Sequence, residues 1–202
     1  MKNVEVLKLF PEPIFKYKLD NFEEFNKELS KYIYQLKEDD EKKNITKSNK
    51  GGWHSPDFQI AQKGSIQNKF ALEIQKYILN VCMHLGWKTE NKQIRIASMW
   101  SIINMKDDFN VIHTHPNSFL SAAYYVKAPE NCGSFKASNP NQIARERIPL
   151  SDKKTDFNMN VAQIKPMEGD LLLFPAYLPH SVGMNLSDED RIVISFNIDI
   201  LR

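Results

Sequence analysis

Cysteine is nearly absent from this chain. Cys82 and Cys132 are the only two, far apart and in no metal-ligand spacing. That excludes a disulfide scaffold and points to a reducing compartment. Long apolar runs are missing too. No stretch approaches the roughly 18 consecutive apolar residues of a membrane span, and "MKNVEVLKLFPEP" lacks the apolar core of a secretory leader. A cytoplasmic protein with no membrane partner is expected. Charge of one sign is also lacking: lysine and arginine exceed the acidic residues by only two. The densest charged run, "KEDDEKK" at Lys37–Lys43, mixes both signs and reads as a solvated helix end. No basic stripe is present, so nucleic acid is not an expected partner. Repeats and low-complexity tracts are absent.

What is present suits one compact unit. The 202 residues carry 42% hydrophobic side chains, enough for a full core. A single domain over 1–202 is expected, with residues 1–92 as helical support and 93–202 as a β core. "VEVLKLF" alternates and reads as a first strand. "NFEEFNKELSKYIYQL" places Phe22, Phe25, Leu29, Tyr32, Ile33 and Leu36 at helical spacing, with Asp20 or Asn21 available as cap. "KSNKGGWHSPDF" reads as a loop. A second helix is expected from about Ser65 to Leu85, stopped by Gly86. After residue 93 come short runs rich in β-branched and aromatic residues: "IRIASMWSIIN", "VIHTH", "FLSAAYYV", "GSFKAS", "GDLLLFP", "HSVGMN" and "RIVISFNIDI". Strands following helices predict a mainly β, α+β fold, antiparallel, with helices on one side. Asn139–Val161 is polar and irregular, long enough to be functional or mobile rather than a simple turn.

Two of the five histidines stand one residue apart in "NVIHTHPNS". On a strand, positions i and i+2 share a face, so His113 and His115 point together with Val111, and Ile112 turns toward packing. Two such imidazoles can chelate one metal ion. His180, in "FPAYLPHSV", is the third candidate ligand. Imidazole suits iron, zinc, copper and nickel alike. Two exposed histidines on a strand are also common without any function. The last strand adds a further sign. Parity places Ile192, Ile194, Phe196 and Ile198 on one face and Arg191, Val193, Ser195 and Asn197 on the other. The second face reads either as a solvent-facing edge or as the wall of a polar cavity, where arginine's planar fork would take a carboxylate.

These residues resemble the Fe(II)/2-oxoglutarate-dependent oxygenases, in particular small bacterial and phage members. The matching pieces are "SNKGGWHS", "WSIIN", "NVIHTHPNS", "LSAAYYV", "GDLLLFPAYLPHSV" and "DRIVISFNI", spread over most of the chain. The resemblance implies a double-stranded β-helix, or jelly-roll, with Fe(II) in its mouth and 2-oxoglutarate and O2 as cosubstrates. It implies a hydroxylase that releases succinate and CO2. By position it implies His113 and His180 as ligands, and Arg191 clamping the far carboxylate of 2-oxoglutarate. Tyr125 would help hold that carboxylate, assisted by Ser195 and Asn197. For a phage-encoded chain the compartment would be the host cytoplasm.

The departure is His115, which stands where the superfamily usually has a carboxylate. It either ligates, giving a three-histidine site, or stands aside for water, or marks a site without catalytic iron. Asp107 or Asp108 could supply an anionic ligand if the hairpin folds back, although turn residues is the plainer reading. Asn104 and Asn110 are candidates to orient the ligand imidazoles. His54 reads as a loop residue, or else as a fourth ligand or a substrate contact, Trp53 as a loop residue or an aromatic wall of the pocket, Trp100 as core, and His84 as a helix end. Two other functions stay open: a cupin-like three-histidine dioxygenase without 2-oxoglutarate, and a noncatalytic binding domain. The substrate, peptidyl or small, is unreadable, and a homodimer is open.

Overall fold

The computed structural model describes residues 5–40, 45–90, 92–141, 143, 146 and 149–201. The end of the charged run at 41–43, and 142, 144–145 and 147–148 of the irregular segment, lie outside them.

Eleven strands and three helices have both ends among these residues; Ile143 and Glu146 are helical as well. The strands are β1 (Phe15–Lys18), β2 (Asn49–Lys50), β3 (Trp53–His54), β4 (Gln93–Asn104), β5 (Phe109–His113), β6 (Leu120–Lys127), β7 (Phe135–Ser138), β8 (Val161–Ile164), β9 (Asp170–Pro175), β10 (His180–Val182) and β11 (Arg191–Leu201). The helices are α1 (Phe22–Asp39), α2 (Ile66–Glu73) and α3 (Gln75–His84). All pairings are antiparallel. A six-stranded sheet runs β1-β9-β6-β11-β4-β3, and a five-stranded sheet runs β2-β5-β10-β7-β8. Facing one another, they make the expected mainly β, α+β jelly-roll.

Alternation along β11 sorts the two cores. Ile192, Ile194, Phe196 and Ile198 are fully buried beneath the helices, against Leu29, Ile33, Phe70, Ile74 and Ile78. Burying each such side chain contributes on the order of 1.5–3 kcal/mol. A smaller core lies between the sheets: Ala123, Tyr125, Phe135, Leu172, Phe174, Leu178 and Val193. A polar bond pair fixes α1 on the large sheet. Tyr124 Oη donates to Asn26 Oδ1 (2.5 Å), and Asn26 Nδ2 donates to the Val126 carbonyl (2.8 Å).

Several local expectations need correction. Residues 5–10 of "VEVLKLF" form no strand, and Val4 lies outside the described residues. The first strand is "FKYK", beyond the prolines, where a free edge beside β9 is available. Asn21 takes a left-handed conformation and its side chain does not cap α1. The second helix is interrupted at Ile74 into α2 and α3, and Ser65 caps its start by accepting from Asn68 N. Ile112 is 56% exposed rather than packed. Its face of the small sheet is the outer one, and the helices cover the large sheet only. The loop "SNKGGWH" contains β2 and β3, one in each sheet, joined across Gly51 and Gly52, and "VAQI" forms β8. Three strands therefore come from the part before residue 92. Among the described residues no helix is long and apolar enough to cross a membrane.

Candidate metal centre

His113 ends β5 and His180 begins β10, and the two strands pair with these residues directly opposite. His115 follows β5, its backbone N–H donating to the Ala176 carbonyl at 2.9 Å. The result is a cluster in which one ring nitrogen from each of His113, His115 and His180 lies within 4.8 Å of the others. Nitrogens bound at right angles to one ion would be about 3 Å apart. The rings thus need to shift inward by at most about 2 Å to close on a cation.

Backbone carbonyls set the tautomers of two of them. His113 Nδ1 donates to the Val111 carbonyl (2.8 Å), and His180 Nδ1 donates to the Leu178 carbonyl (2.9 Å). A carbonyl only accepts, so Nδ1 carries the proton and Nε2 presents a lone pair. This is the orienting support that ligand imidazoles usually have. Burial lowers the proton affinity of all three. His180 is pushed down to about 3 and His115 to about 4, first by burial and then by His113, while His113 is lowered by burial. At neutral pH three uncharged nitrogen donors face one point. That donor set fits a divalent transition metal such as Fe(II).

Neither asparagine expected to orient these rings does so. Asn110 donates to Ser48 Oγ (3.2 Å), and Asn104 Oδ1 accepts from Arg191 Nη2 (2.8 Å). Asn197 is the amide beside His115, where it favours the protonated ring. It also accepts from Ser121 Oγ and donates to Ser98 Oγ. Neither aspartate joins the cluster formed among the described residues. Asp108 Oδ2 accepts from Met105 N (2.7 Å), and its carboxylate packs so closely on Gly51 that a Cβ there would collide with it. Asp107 N donates to the Asn185 carbonyl.

A cavity of about 450 Å³ opens over the triad. Its walls include the predicted face of β11, Arg191, Val193, Ser195 and Asn197, and Tyr125 of β6. Opposite partners on β4 line it too: Asn104, Ile102, Trp100 and Ser98. Arg191 is completely buried. Its Nη1 donates to the Cys132 and Gly183 carbonyls and its Nη2 to Asn104. Nε has no partner, and among the described residues no carboxylate forms an ion pair with it. Nη2 carries two protons and Asn104 takes one, so two N–H groups on adjacent nitrogens remain. A buried guanidinium without a counter-ion is costly. An anion accepting both N–H groups would offset that cost.

Sequence reasoning missed Trp100, read as core. It is 7% exposed, yet it lines the cavity, and its Nε1 has no hydrogen-bond partner among the described residues. Parity held the signal: Ser98, Trp100 and Asn104 alternate with Met99, Ser101 and Ile103. His54 is likewise a cavity residue, its ring 5.7 Å from the indole and nearly parallel to it. Trp53 instead packs in the core and donates to Asp40 Oδ2. His84 bonds the Asn80 carbonyl at the end of α3, away from the site.

Comparison with known proteins agrees with this geometry. Residues 98–197, which hold the triad and Arg191, match the family described as "Putative 2OG-Fe(II) oxygenase". No curated protein sequence matches the chain. Among solved structures, a prolyl-4-hydroxylase from Pseudomonas putida is similar with TM-score 0.65 and 12% identity, over 95% of this chain and 94% of that one. HygX from Streptomyces hygroscopicus, solved with nickel, 2-oxoglutarate and hygromycin B, has TM-score 0.63 and 15% identity, over 93% and 83%. The viral collagen prolyl hydroxylase of Paramecium Bursaria Chlorella virus-1, in a 2-oxoglutarate complex, has TM-score 0.55 and 14% identity, over 93% and 96%. At such identities the structures speak for the fold. The family match and the converging triad carry the rest, and the chain belongs to the Fe(II)/2-oxoglutarate oxygenase superfamily.

Proposed function

We propose that the chain is an Fe(II)- and 2-oxoglutarate-dependent oxygenase that hydroxylates its substrate, with His113, His115 and His180 as the metal ligands. The observation that carries this reading is the pairing, in one cavity, of a three-imidazole cluster with a buried guanidinium that forms no ion pair among the described residues. When bound, iron and the cosubstrate supply the oxidation: O2 is reduced, 2-oxoglutarate is converted to succinate and CO2, and the substrate gains one oxygen atom.

The chain's own residues position that chemistry. The Val111 and Leu178 carbonyls hold His113 and His180 with Nε2 forward. Arg191 receives the far carboxylate of 2-oxoglutarate through its two unpartnered N–H groups. Tyr125, buried on the neighbouring strand and within the field of Arg191, offers a phenol that burial keeps protonated. It donates to the same carboxylate. Ser195 and Asn197 sit four and six residues along β11 from Arg191, so Asn197 supports His115 rather than the diacid. Phe135 and Phe174 pack against the His180 ring, at 5.3 and 4.7 Å between centroids, and keep water from it.

The third imidazole favours a second reading, a three-histidine dioxygenase without 2-oxoglutarate. Arg191 separates the two, because only the first needs a guanidinium for an organic acid. The test is anaerobic addition of Fe(II) and 2-oxoglutarate. A visible charge-transfer band, lost in Arg191→Ala and His180→Ala, supports the reading. Its absence from the wild type, or its survival in both variants, refutes it.

A further inference from the structure

The cavity has a second polar end that the cosubstrate does not reach. Arg191 pairs with Asn104 across β11 and β4, and Trp100 pairs with Ser195. Four residues of strand separate these levels, about 13 Å. The bond to Asn104 holds the guanidinium at its own level. A five-carbon diacid spans only roughly 6 Å between its carboxylates at ordinary bond lengths. Trp100 lies at the triad's other side, its ring 5.8 Å from that of His115.

Four groups meet at this end. Trp100 Nε1–H is buried and without an acceptor among the described residues. His54 is 3% exposed and donates from Nδ1 to the Ser55 carbonyl (2.7 Å), which leaves Nε2 as its acceptor. Lys47 Nζ stands 5.4 Å from the centre of the Trp100 ring. Asp57 lines the same rim, and its charge and that of Lys47 both act on His54. Among the described residues neither Lys47 nor Asp57 forms an ion pair, with each other or with anything else. Opposite charges left apart at one rim, beside a buried donor and a buried acceptor, complement a ligand that carries both charges itself.

We infer that the His54–Trp100 end is the substrate subsite, and that it takes a small zwitterion with the ammonium and carboxylate of a free amino acid. This rests on the metal and cosubstrate reading above. Trp100 Nε1 and Lys47 receive the carboxylate, and His54 Nε2 and Asp57 receive the ammonium. A plain anion would meet Asp57 uncompensated, and a peptide interior carries neither charge. Size agrees: 450 Å³ is about fifteen water volumes, and part of it must hold a diacid of ten heavy atoms.

The test uses the protein loaded with Ni(II) and 2-oxoglutarate under nitrogen, titrated calorimetrically with the twenty common free amino acids. Their N-acetyl and carboxamide derivatives are run beside them. At least one free amino acid should saturate, and its blocked derivatives should bind at least ten-fold more weakly. Trp100→Phe, which keeps a ring and removes the N–H, should weaken it five-fold or more. Lys47→Ala, an exposed side chain that folding does not need, should do the same. No binding by any free amino acid overturns the inference. So do equal binding of a blocked form and unchanged affinity in both variants. A separate titration of the Ni(II) protein with 2-oxoglutarate keeps the two readings apart. Failure there with amino-acid binding intact refutes the cosubstrate reading alone, and the reverse pattern refutes this one.

Discussion

As a ligand, His115 would set how much positive charge the centre keeps. A carboxylate at that position would cancel one unit of the metal's charge, whereas a neutral imidazole cancels none. Burial holds His115 in its neutral form, so it is ready to donate a lone pair without first losing a proton. His115→Ala should lower Fe(II) affinity ten- to a hundred-fold in an anaerobic competition titration with a chromophoric chelator. An affinity within two-fold of wild type would mean that His115 stands aside. Arg191 poses the opposite problem, a buried charge that no carboxylate among the described residues meets in an ion pair, Asp108 acting on it only through its field. Arg191→Met strands the Cys132 and Gly183 carbonyls and Asn104 Oδ1, each an acceptor whose loss costs about 1–3 kcal/mol. Relief of the desolvated charge offsets part of that, so a net loss of about 2–4 kcal/mol is expected in urea melts. The ligand response is the sharper readout. With Ni(II) present, 2-oxoglutarate at a hundred times its Kd should stabilise the wild type by about 2.7 kcal/mol. The Met variant should show no ligand shift, and a wild-type shift in that variant would remove Arg191 from the diacid site.

At the scale of elements, the loop carrying β2 and β3 does more than connect. Its two short strands join opposite sheets, and Lys47, Ser48, His54 and Asp57 of this segment all line the cavity. Gly51 and Gly52 make that crossing possible. Both have positive φ, 72° and 68°, and a Cβ on Gly52 would meet the Ile103 carbonyl. Backbone cannot yield as a flexible side chain does. Gly52→Ala should therefore cost about 2 kcal/mol or more, and it should weaken binding at the His54 end before binding at Arg191. Equal stability by chemical denaturation would show that the crossing tolerates a side chain. The sequence offered "GGWHS" as a loop, with His54 and Trp53 as candidate pocket contacts, and not as strands, because two-residue strands carry no periodicity. Long elements were readable: the faces of β11 and α1 follow from alternation and helical spacing, and the helical stop at Gly86 holds with φ 65°. The role of Asn104 was not readable, since it depends on a strand partner 87 residues away.

The whole molecule couples its helical layer to the site through the start of β11. Tyr34 of α1 donates from Oη to Asp190 Oδ2 at 2.9 Å, and Asp190 immediately precedes Arg191. The sequence could place both residues on elements, but not the contact, which forms only when α1 lies across the large sheet. Burial, then the hydrogen bond to Asp190 and its charge, push the Tyr34 phenol up to about 12 from its ordinary 10. The sign of the linkage follows. Between these values the unfolded chain has lost this proton and the folded chain keeps it, so the folded state binds more protons and stability falls as pH rises. The contribution is complete below pH 10 and gone above about 12. Tyr17, Tyr32 and Tyr124 are also raised by burial and act in the same direction. Urea melts from pH 9 to 12 should therefore show a steady loss of stability. In Tyr34→Phe the slope should be shallower, with the difference between the proteins largest at pH 9 and shrinking toward 12. A parallel pair of curves would show that Tyr34 titrates alike in both states, and that α1 is held to the start of β11 by packing alone.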